Sequence, residues 1–396
     1  MIVTRSQMLV WAVMAAILCE FMFFGFRAST IGRTFAAISM AISGVLVITI
    51  AVTQLLKRFH EIPKFALLIA SYFLVLIILA LPQNQAQAVS ALANPLMHWA
   101  YIMPLATLIA VRASELSKTF DVLNVVFWAS ATTALPIIII APESSILLGV
   151  NRIMELFPVL IVHRYMHGKR GLLFLIFVYS TPLLVTSLVT GKRVDLLFIV
   201  LFGLLFFLMV TKRDQHTLTN LWRWSVITVS FALVLALLTQ YEKIQALFPT
   251  YTIDTRTFLF EEMQRELTGW DLAFGRGVFG TYYSEYFWQV TQRGDIGDHF
   301  DRTSVEVALL HFLLKGGVFG VVLITAVSIT GIRRLLKAVR FDGKIDEVGL
   351  YSPFLICIVV CSLISFYPVY SGFWLIFWLV LGVYVPPQRQ HSVGRR

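Results

Sequence analysis

Runs of about twenty mostly apolar residues recur along nearly the whole chain, and a helix needs about that many to cross some 30 Å of hydrocarbon. Backbone N–H and C=O groups in lipid find no water, so each run has to satisfy them internally, as a helix does. The runs begin near Met8, Phe35, Phe65, Leu92, Val122, Ile146, Gly171, Val194, Trp222, Ser304, Ser352 and Gly372. They predict an all-α polytopic membrane protein of about twelve transmembrane helices. Only 14% of the 396 residues are charged, against about 25% in soluble domains, too few to cover a water-facing surface. The fourth run is diluted by Asn94, Pro95 and His98, and the sixth contains Arg152 and Glu155. The first run is longer than the apolar part of a signal peptide, about 7–15 residues, and lacks a small-residue cleavage pattern, so it reads as a retained helix.

The formal charge of +10 is not a nucleic-acid signal, because the basic residues sit in short loops, where they report orientation. Arg5, Lys57-Arg58 with Lys64, Arg112 with Lys118, Arg164 with Lys169-Arg170, Lys212-Arg213 with Arg223, and Arg333-Arg334 with Lys337 fall on one side, together with the basic tail. Loops on the other side are poor in Lys and Arg, apart from Arg27, Arg33 and Lys192-Arg193. The positive-inside rule then puts both termini in the cytoplasm. Cys19, Cys357 and Cys361 lie inside apolar runs and form no pairing or metal pattern.

One segment departs from this pattern. Residues 241–303 form a long polar and aromatic loop between the membrane helices of residues 1–240 and those of 304–396, with its cytoplasmic tail. Loops of that length are commonly functional or disordered, and the aromatic content argues against disorder. On the orientation above the loop is external. Asp254 through Leu267 reads as an amphipathic helix, with Leu259, Met263, Leu267 and Trp270 at helical spacing and Glu261, Glu262, Arg265 and Glu266 elsewhere on the wheel. Such a helix lies in the headgroup plane. Arg256 at its start gains nothing from the helix dipole, and a phosphate is one partner that would hold it there. Gly275-Arg276-Gly277-Val278-Phe279-Gly280 is a tight turn with close backbone approach, without the Gly-Lys-Ser/Thr of a nucleotide loop. His299, flanked by Asp298, Asp301 and Arg302, is either a general base or a residue fixing the loop. The short loop Gly191-Lys192-Arg193 is either a pair of snorkelling side chains or an anion site at a helix N-terminus.

The tenth span carries Glu306 near its outer end, with His311 and Lys315 at i, i+4 and Lys315 near mid-bilayer by a rise of about 1.5 Å per residue. Intramembrane ionisable groups usually pair or line a cavity. Arg152 and Glu155, at i, i+3, could form one ion pair. Gly316-Gly317 and Gly320 allow close helix approach. No metal-ligand pattern is present in the sequence, so phosphate chemistry would rest on arginine.

Gly191-Lys192-Arg193 before the eighth span, Arg256 opening the long loop, Gly275-Arg276-Gly277, and His299 through Gly320 with its Gly-Gly-Val-Phe-Gly run together resemble the O-antigen polymerase and O-antigen ligase superfamily. The resemblance covers roughly residues 190–321, and earlier residues contribute only hydropathy. It implies a GT-C-like fold with one large external loop containing amphipathic helices, in a bacterial cytoplasmic (inner) membrane. It implies transfer of a glycan from undecaprenyl pyrophosphate to a sugar hydroxyl with inversion, without metal or other cofactor, for O-antigen, capsule or exopolysaccharide. It implies as partners the lipid-linked glycan, the bilayer, a chain-length regulator and a flippase, and no nucleic acid. Arg193 and Arg256 match arginines that hold the pyrophosphate, and Arg276 matches less closely. Lys192, Arg265, Arg302 and Arg152 are further candidates for substrate contact. In the ligases a histidine precedes the glycine matched by Gly317, where this chain has Glu306. The base is thus His299 or Glu306, and the departure favours polymerase over ligase. The other class is a polysaccharide or lipid transporter, which predicts discontinuous helices and a mid-membrane site around Arg152, Glu155, His311 and Lys315.

Overall fold

The structure, a computed structural model, describes residues 4–26, 29–80, 103–168, 171–190, 193–214, 255–285, 301–302, 305, 307–337, 347–362 and 371–384. The runs expected near Leu92 and Trp222 lie outside the described residues. The helices are α1 Arg5–Gly25, α2 Thr30–Arg58, α3 Lys64–Ala80, α4 Met103–Ala106, α5 Ala113–Ile140, α6 Ser145–Met154 and α7 Phe157–His167. They continue with α8 Leu172–Thr190, α9 Arg193–Asp214, α10 Thr255–Glu266, α11 Gly269–Phe274, α12 Ala308–Leu336, α13 Ser352–Cys361 and α14 Ser371–Leu381. Two short strands, β1 Tyr282–Tyr283 and β2 Asp301–Arg302, pair antiparallel and tie the two ends of the 286–300 stretch together.

Among the described residues six helical segments are long and apolar enough to cross a membrane: Arg5–Gly25, Thr30–Glu61, Ala113–Ile140, Ser145–His167, Leu172–Thr190 and Ala308–Leu336. Lys64–Ile78, Val194–Val210 and Val348–Cys361 are shorter apolar helices. The chain is a multi-pass, all-α membrane protein. Its outer surface agrees: Val45, Ile48 and Val52 on α2, Ile139 and Ile140 on α5, and Phe177 on α8 point outward, which suits lipid as the solvent. Trp374 and Trp378, Phe120, Phe127, Phe157 and Phe202 fill the interior.

Local chemistry sets the boundaries. The Thr4 side chain accepts from the Gln7 amide while Gln7 Oε1 accepts from the Thr4 amide, a reciprocal cap that starts α1. Lys57 and Arg58 end α2, where cations suit the helix C-terminus. The sixth span is two helices. α6 stops at Met154 and α7 restarts at Phe157 with Pro158 in its first turn, where a missing N–H costs little.

The basic loops gather at one end of the bundle. There Arg5 pairs with Glu115 at 3.6 Å and donates to the Ile109 and Ala110 carbonyls. Arg112 approaches Glu61 at 3.5 Å. Arg334 donates to the Leu381 and Val383 carbonyls at 2.9 and 2.6 Å and lies over the Phe65 ring. The Tyr384 amide reaches the Val111 carbonyl. At the other end Ser145 Oγ donates to the Gly25 carbonyl, where the sequence expects loops poor in Lys and Arg.

The amphipathic stripe of α10 has a different partner from the one expected. Leu259, Met263 and Leu267 pack on Val305, Val307, Leu310, Leu314 and Tyr282, so protein covers them and not headgroups. Trp270 is not part of the stripe, because α10 ends at Glu266 and Trp270 belongs to α11. The predicted start of the tenth span also moves, from Ser304 to Ala308.

Candidate functional site

The tenth span is broken. Gly317 sits inside α12 at φ 62° and ψ −167°, a backbone state open to glycine and strained for any other residue. A break in a helix strands carbonyls that the next turn would have used. Here the Arg276 amide donates to the Leu314 carbonyl at 2.7 Å and the Gly277 amide to the Lys315 carbonyl at 3.1 Å. The loop backbone thus replaces the missing turn. Gly275, at φ 74°, lies so close that a Cβ there would overlap the backbone of Lys315, Gly316 and Gly317. A Cβ at Gly317 would overlap Ala273 and Phe274. The two glycines are needed for one reason: two backbones cross in contact. Lys315 Nζ closes the joint by donating to the Gly280 carbonyl at 2.6 Å.

The position of the joint along α12 follows from the helix. Gly317 stands about 25 Å along the axis from Arg334 at a rise of about 1.5 Å per residue. Lys315 lies just beyond it, about two turns into α12. The sequence count began from a start four residues too early and did not see how far α12 runs beyond Lys315 toward the basic end.

Arg276 organises the strap. Its Nε donates to Asp271 at 2.9 Å, its Nη1 to Glu266 Oε2 and the Thr281 carbonyl at 2.8 Å each, and its Nη2 to the Glu266 carbonyl at 2.7 Å. Burial alone lowers a guanidinium pKa, but the hydrogen bonds to Asp271 and Glu266 outweigh it and hold this one above its ordinary value. Most of its five donors are thereby used within the protein. Ser284 Oγ adds a bond to Glu262 at 2.7 Å, fastening β1 to α10. His311 is buried and accepts from the Val305 amide at Nδ1, 3.2 Å away, which orients the ring at the start of α12.

A second polar cluster occupies the joint of α6 and α7. Arg152 Nη1 donates to both carboxylate oxygens of Glu155 at 2.8 and 3.0 Å, and its guanidinium lies over the Phe24 ring. Glu155 is fully buried. Next to it, Asn151 Nδ2 and Ser187 Oγ both donate to Asp195 Oδ2 at 2.8 Å, and Thr186 Oγ1 donates to Asn151 Oδ1 at 2.7 Å. Asp195 lies in the first turn of α9, directly after the 191–193 loop. Cys361 at the end of α13 is within electrostatic reach of both Asp195 and Glu155. Its neighbour Ser362 accepts from the Leu309 amide at the start of α12.

α10 and the loop after α11 thus pack on the start of α12, and α13 stands between that start and the α6–α9 cluster. Arg193 opens α9 and Arg256 lies in the first turn of α10, and their side chains are outside the described residues, as are Lys192, His299 and Glu306. Arg302, half-buried, pairs through its backbone with Tyr282. Arg265 is exposed on α10. Arg152 and Arg276 are engaged by protein carboxylates. Sequence reasoning passed over Asn151, Thr186 and Ser187. Their one signal was polarity inside apolar runs, which in lipid implies a partner.

No family model, no curated protein and no solved structure matches the chain.

Proposed function

We propose that the chain is a membrane glycosyltransferase that polymerises lipid-linked oligosaccharide units at the bundle end opposite its basic loops. The observation that supports this reading best is the packing of α10 and the Gly275–Gly280 strap on the start of α12, which the end of α13 joins through Ser362. Arg193 at the start of α9 and Arg256 at the start of α10 are, on this reading, the groups that meet the lipid pyrophosphate. On this reading the fold is GT-C-like with about twelve spans. The termini are cytoplasmic by the positive-inside rule, and the site faces outward from a bacterial cytoplasmic membrane.

The acceptor hydroxyl attacks the anomeric carbon of the donor sugar. The new C–O bond forms as the bond to undecaprenyl pyrophosphate breaks, and the electron pair leaves with the pyrophosphate. The hydroxyl proton passes to His299 or Glu306. Attack from the side opposite the leaving group inverts the centre. Arg193 and Arg256 stabilise the charge that develops on the pyrophosphate, each worth about 3 kcal/mol if it acts as an oxyanion-hole donor does. Arg276 is reassigned from ligand to positioning residue, because its donors are taken by Glu266, Asp271 and the Thr281 carbonyl. Arg152 likewise serves the Glu155 pair.

The gel banding of cell-surface polysaccharide in a deletion strain tests this. Collapse of the ladder to one repeat unit, restored by the wild-type chain but not by Arg193→Ala or Arg256→Ala at equal protein level, is expected. Loss of all acceptor-linked glycan, with long lipid-linked chains retained, would indicate a ligase. The break in α12 favours a second reading, a transporter, since broken helices build transporter sites. Against it, loop backbone fills the break. An unchanged ladder would shift the weight to that reading.

A further inference from the structure

Just before the Gly275–Gly280 strap, α11 carries a surface that neither reading of the chain uses. α11 turns Trp270, Leu272 and Phe274 outward, with Trp270 79% and Phe274 55% exposed. The Trp270 and Phe274 rings stack at 5.6 Å with planes 21° apart. Isolated exposed aromatics need no explanation, but a contiguous patch marks an interaction surface. Asp271, between them in sequence, turns instead to Arg276. Trp270 and Phe274, at i, i+4, thus share one apolar face, and Asp271 points away from it to Arg276.

What covers the patch follows from what it joins. Phe274 is 6.5 Å, ring to ring, from Phe319 on α12, and Phe319 in turn contacts Tyr72 of α3 at 5.8 Å. Phe319, Val318 and Val322 are exposed on a helix apolar enough to cross a membrane, so lipid is their solvent. The aromatic patch continues that lipid-facing surface upward past the break. Aromatic side chains collect where a lipid-facing surface leaves the hydrocarbon. On the neighbouring α10 the stripe of Leu259, Met263 and Leu267 is covered by protein, while Glu261 and Arg265 face outward together with Phe258 and Phe260.

We infer that α11 is a membrane-interface anchor whose Trp270 and Phe274 side chains enter the headgroup region of the bilayer, fixing the height of the Gly275–Gly280 strap over the break in α12. A six-residue helix buries too little to hold itself on a membrane, and the crossing at Gly275 and Gly317 supplies the rest. The anchor is independent of the proposed function, and a transferase and a transporter would both carry it.

The test is nitroxide accessibility on the full chain in vesicles of phosphatidylethanolamine and phosphatidylglycerol. Cys19, Cys357 and Cys361, all buried thiols, are first replaced by alanine. Single labels are then placed by Trp270→Cys, Phe274→Cys, Phe319→Cys as the lipid reference and Arg265→Cys as the aqueous reference. Labels at 270 and 274 are expected to collide with oxygen at least about twofold more than with a water-soluble nickel chelate, because the apolar face of an interfacial helix lies about 5–10 Å into the headgroup boundary. Chelate accessibility equal to that at 265 would overturn the inference by showing the patch in water. Shielding from both reagents would overturn it too, by showing a protein cover. Should the labelled variants fail to assemble, the fluorescence difference between the wild-type chain and Trp270→Phe decides. Quenching of that component by brominated lipid supports the anchor, and no quenching sinks it.

Discussion

Replacing Gly317 with alanine should release the loop from the membrane helix. The backbone at 317 has φ 62°, and holding a non-glycine residue there costs about 1–3 kcal/mol. The added Cβ would overlap backbone atoms of Ala273 and Phe274, which cannot rotate away as a side chain would, and overpacking of that kind costs about 1–3 kcal/mol more. Alanine also favours a continuous helix over the break by about 1 kcal/mol. All three terms push the same way, so undocking of the strap becomes easier by about 3–7 kcal/mol. The Arg276 and Gly277 amides, now bonded to the Leu314 and Lys315 carbonyls, report the change by hydrogen exchange. Each 1.4 kcal/mol is tenfold, so their protection should fall by at least about a hundredfold. Gly269→Ala is the control. It has a positive φ of 55° but nothing within 4 Å of its Cβ, so it bears only the left-handed cost of about 1–2 kcal/mol. Gly275→Ala should match Gly317→Ala, and the double variant should be little worse than either, since one crossing is lost once. Unchanged protection in Gly317→Ala, or protection equal to that of Gly269→Ala, would refute the crossing.

Further outcomes follow from the two polar clusters. Arg276→Ala should loosen residues 277–282 by about 2 kcal/mol after allowance for partial exposure, and Arg276→Lys should not rescue it, because an ammonium cannot span three partners. Full rescue by lysine would remove the fork geometry from the argument. The guanidinium is held above its ordinary pKa, so its stabilisation is complete below that value and lost only above it; alkaline titration through the lysine range should leave the strap docked. Glu155→Ala should cost about 3–5 kcal/mol in thermal unfolding, because Arg152 is left with its charge buried, whereas Arg152→Met with Glu155→Met should cost far less. A neutral Glu155→Ala would mean the pair is not what fills the α6–α7 joint. Asp195→Ala should cost about 1–3 kcal/mol for each of the two donors it strands, Asn151 and Ser187; a stability unchanged from the wild-type chain would show water replacing the carboxylate.

Much of the architecture was legible in the chain before any coordinates. Spans could be read because lipid offers the backbone no partner, so apolar length alone implies a helix. The shared end of the basic loops could be read because Arg5, Arg58, Arg112 and Arg334 sit at helix ends. The turn at Gly275–Gly280 was expected to approach another backbone closely, and it does. The i, i+3 spacing of Arg152 and Glu155 correctly anticipated their ion pair.

Other features depended on partners far along the chain. Gly316-Gly317 read as a small-residue packing stripe, and only the arrival of Gly275 shows Gly317 to be a break. The stripe of Leu259, Met263 and Leu267 showed a face to be covered, and periodicity does not say whether lipid or protein covers it. Trp270 fitted the same spacing until α10 ended short of it. The sequence by itself determined which segments enter the membrane, because transfer of a segment into lipid depends on its own side chains and backbone. Only the tertiary structure decided where a helix breaks and which arginines are consumed as ties, because a φ angle or a guanidinium takes its role from whatever backbone or carboxylate the fold brings within contact.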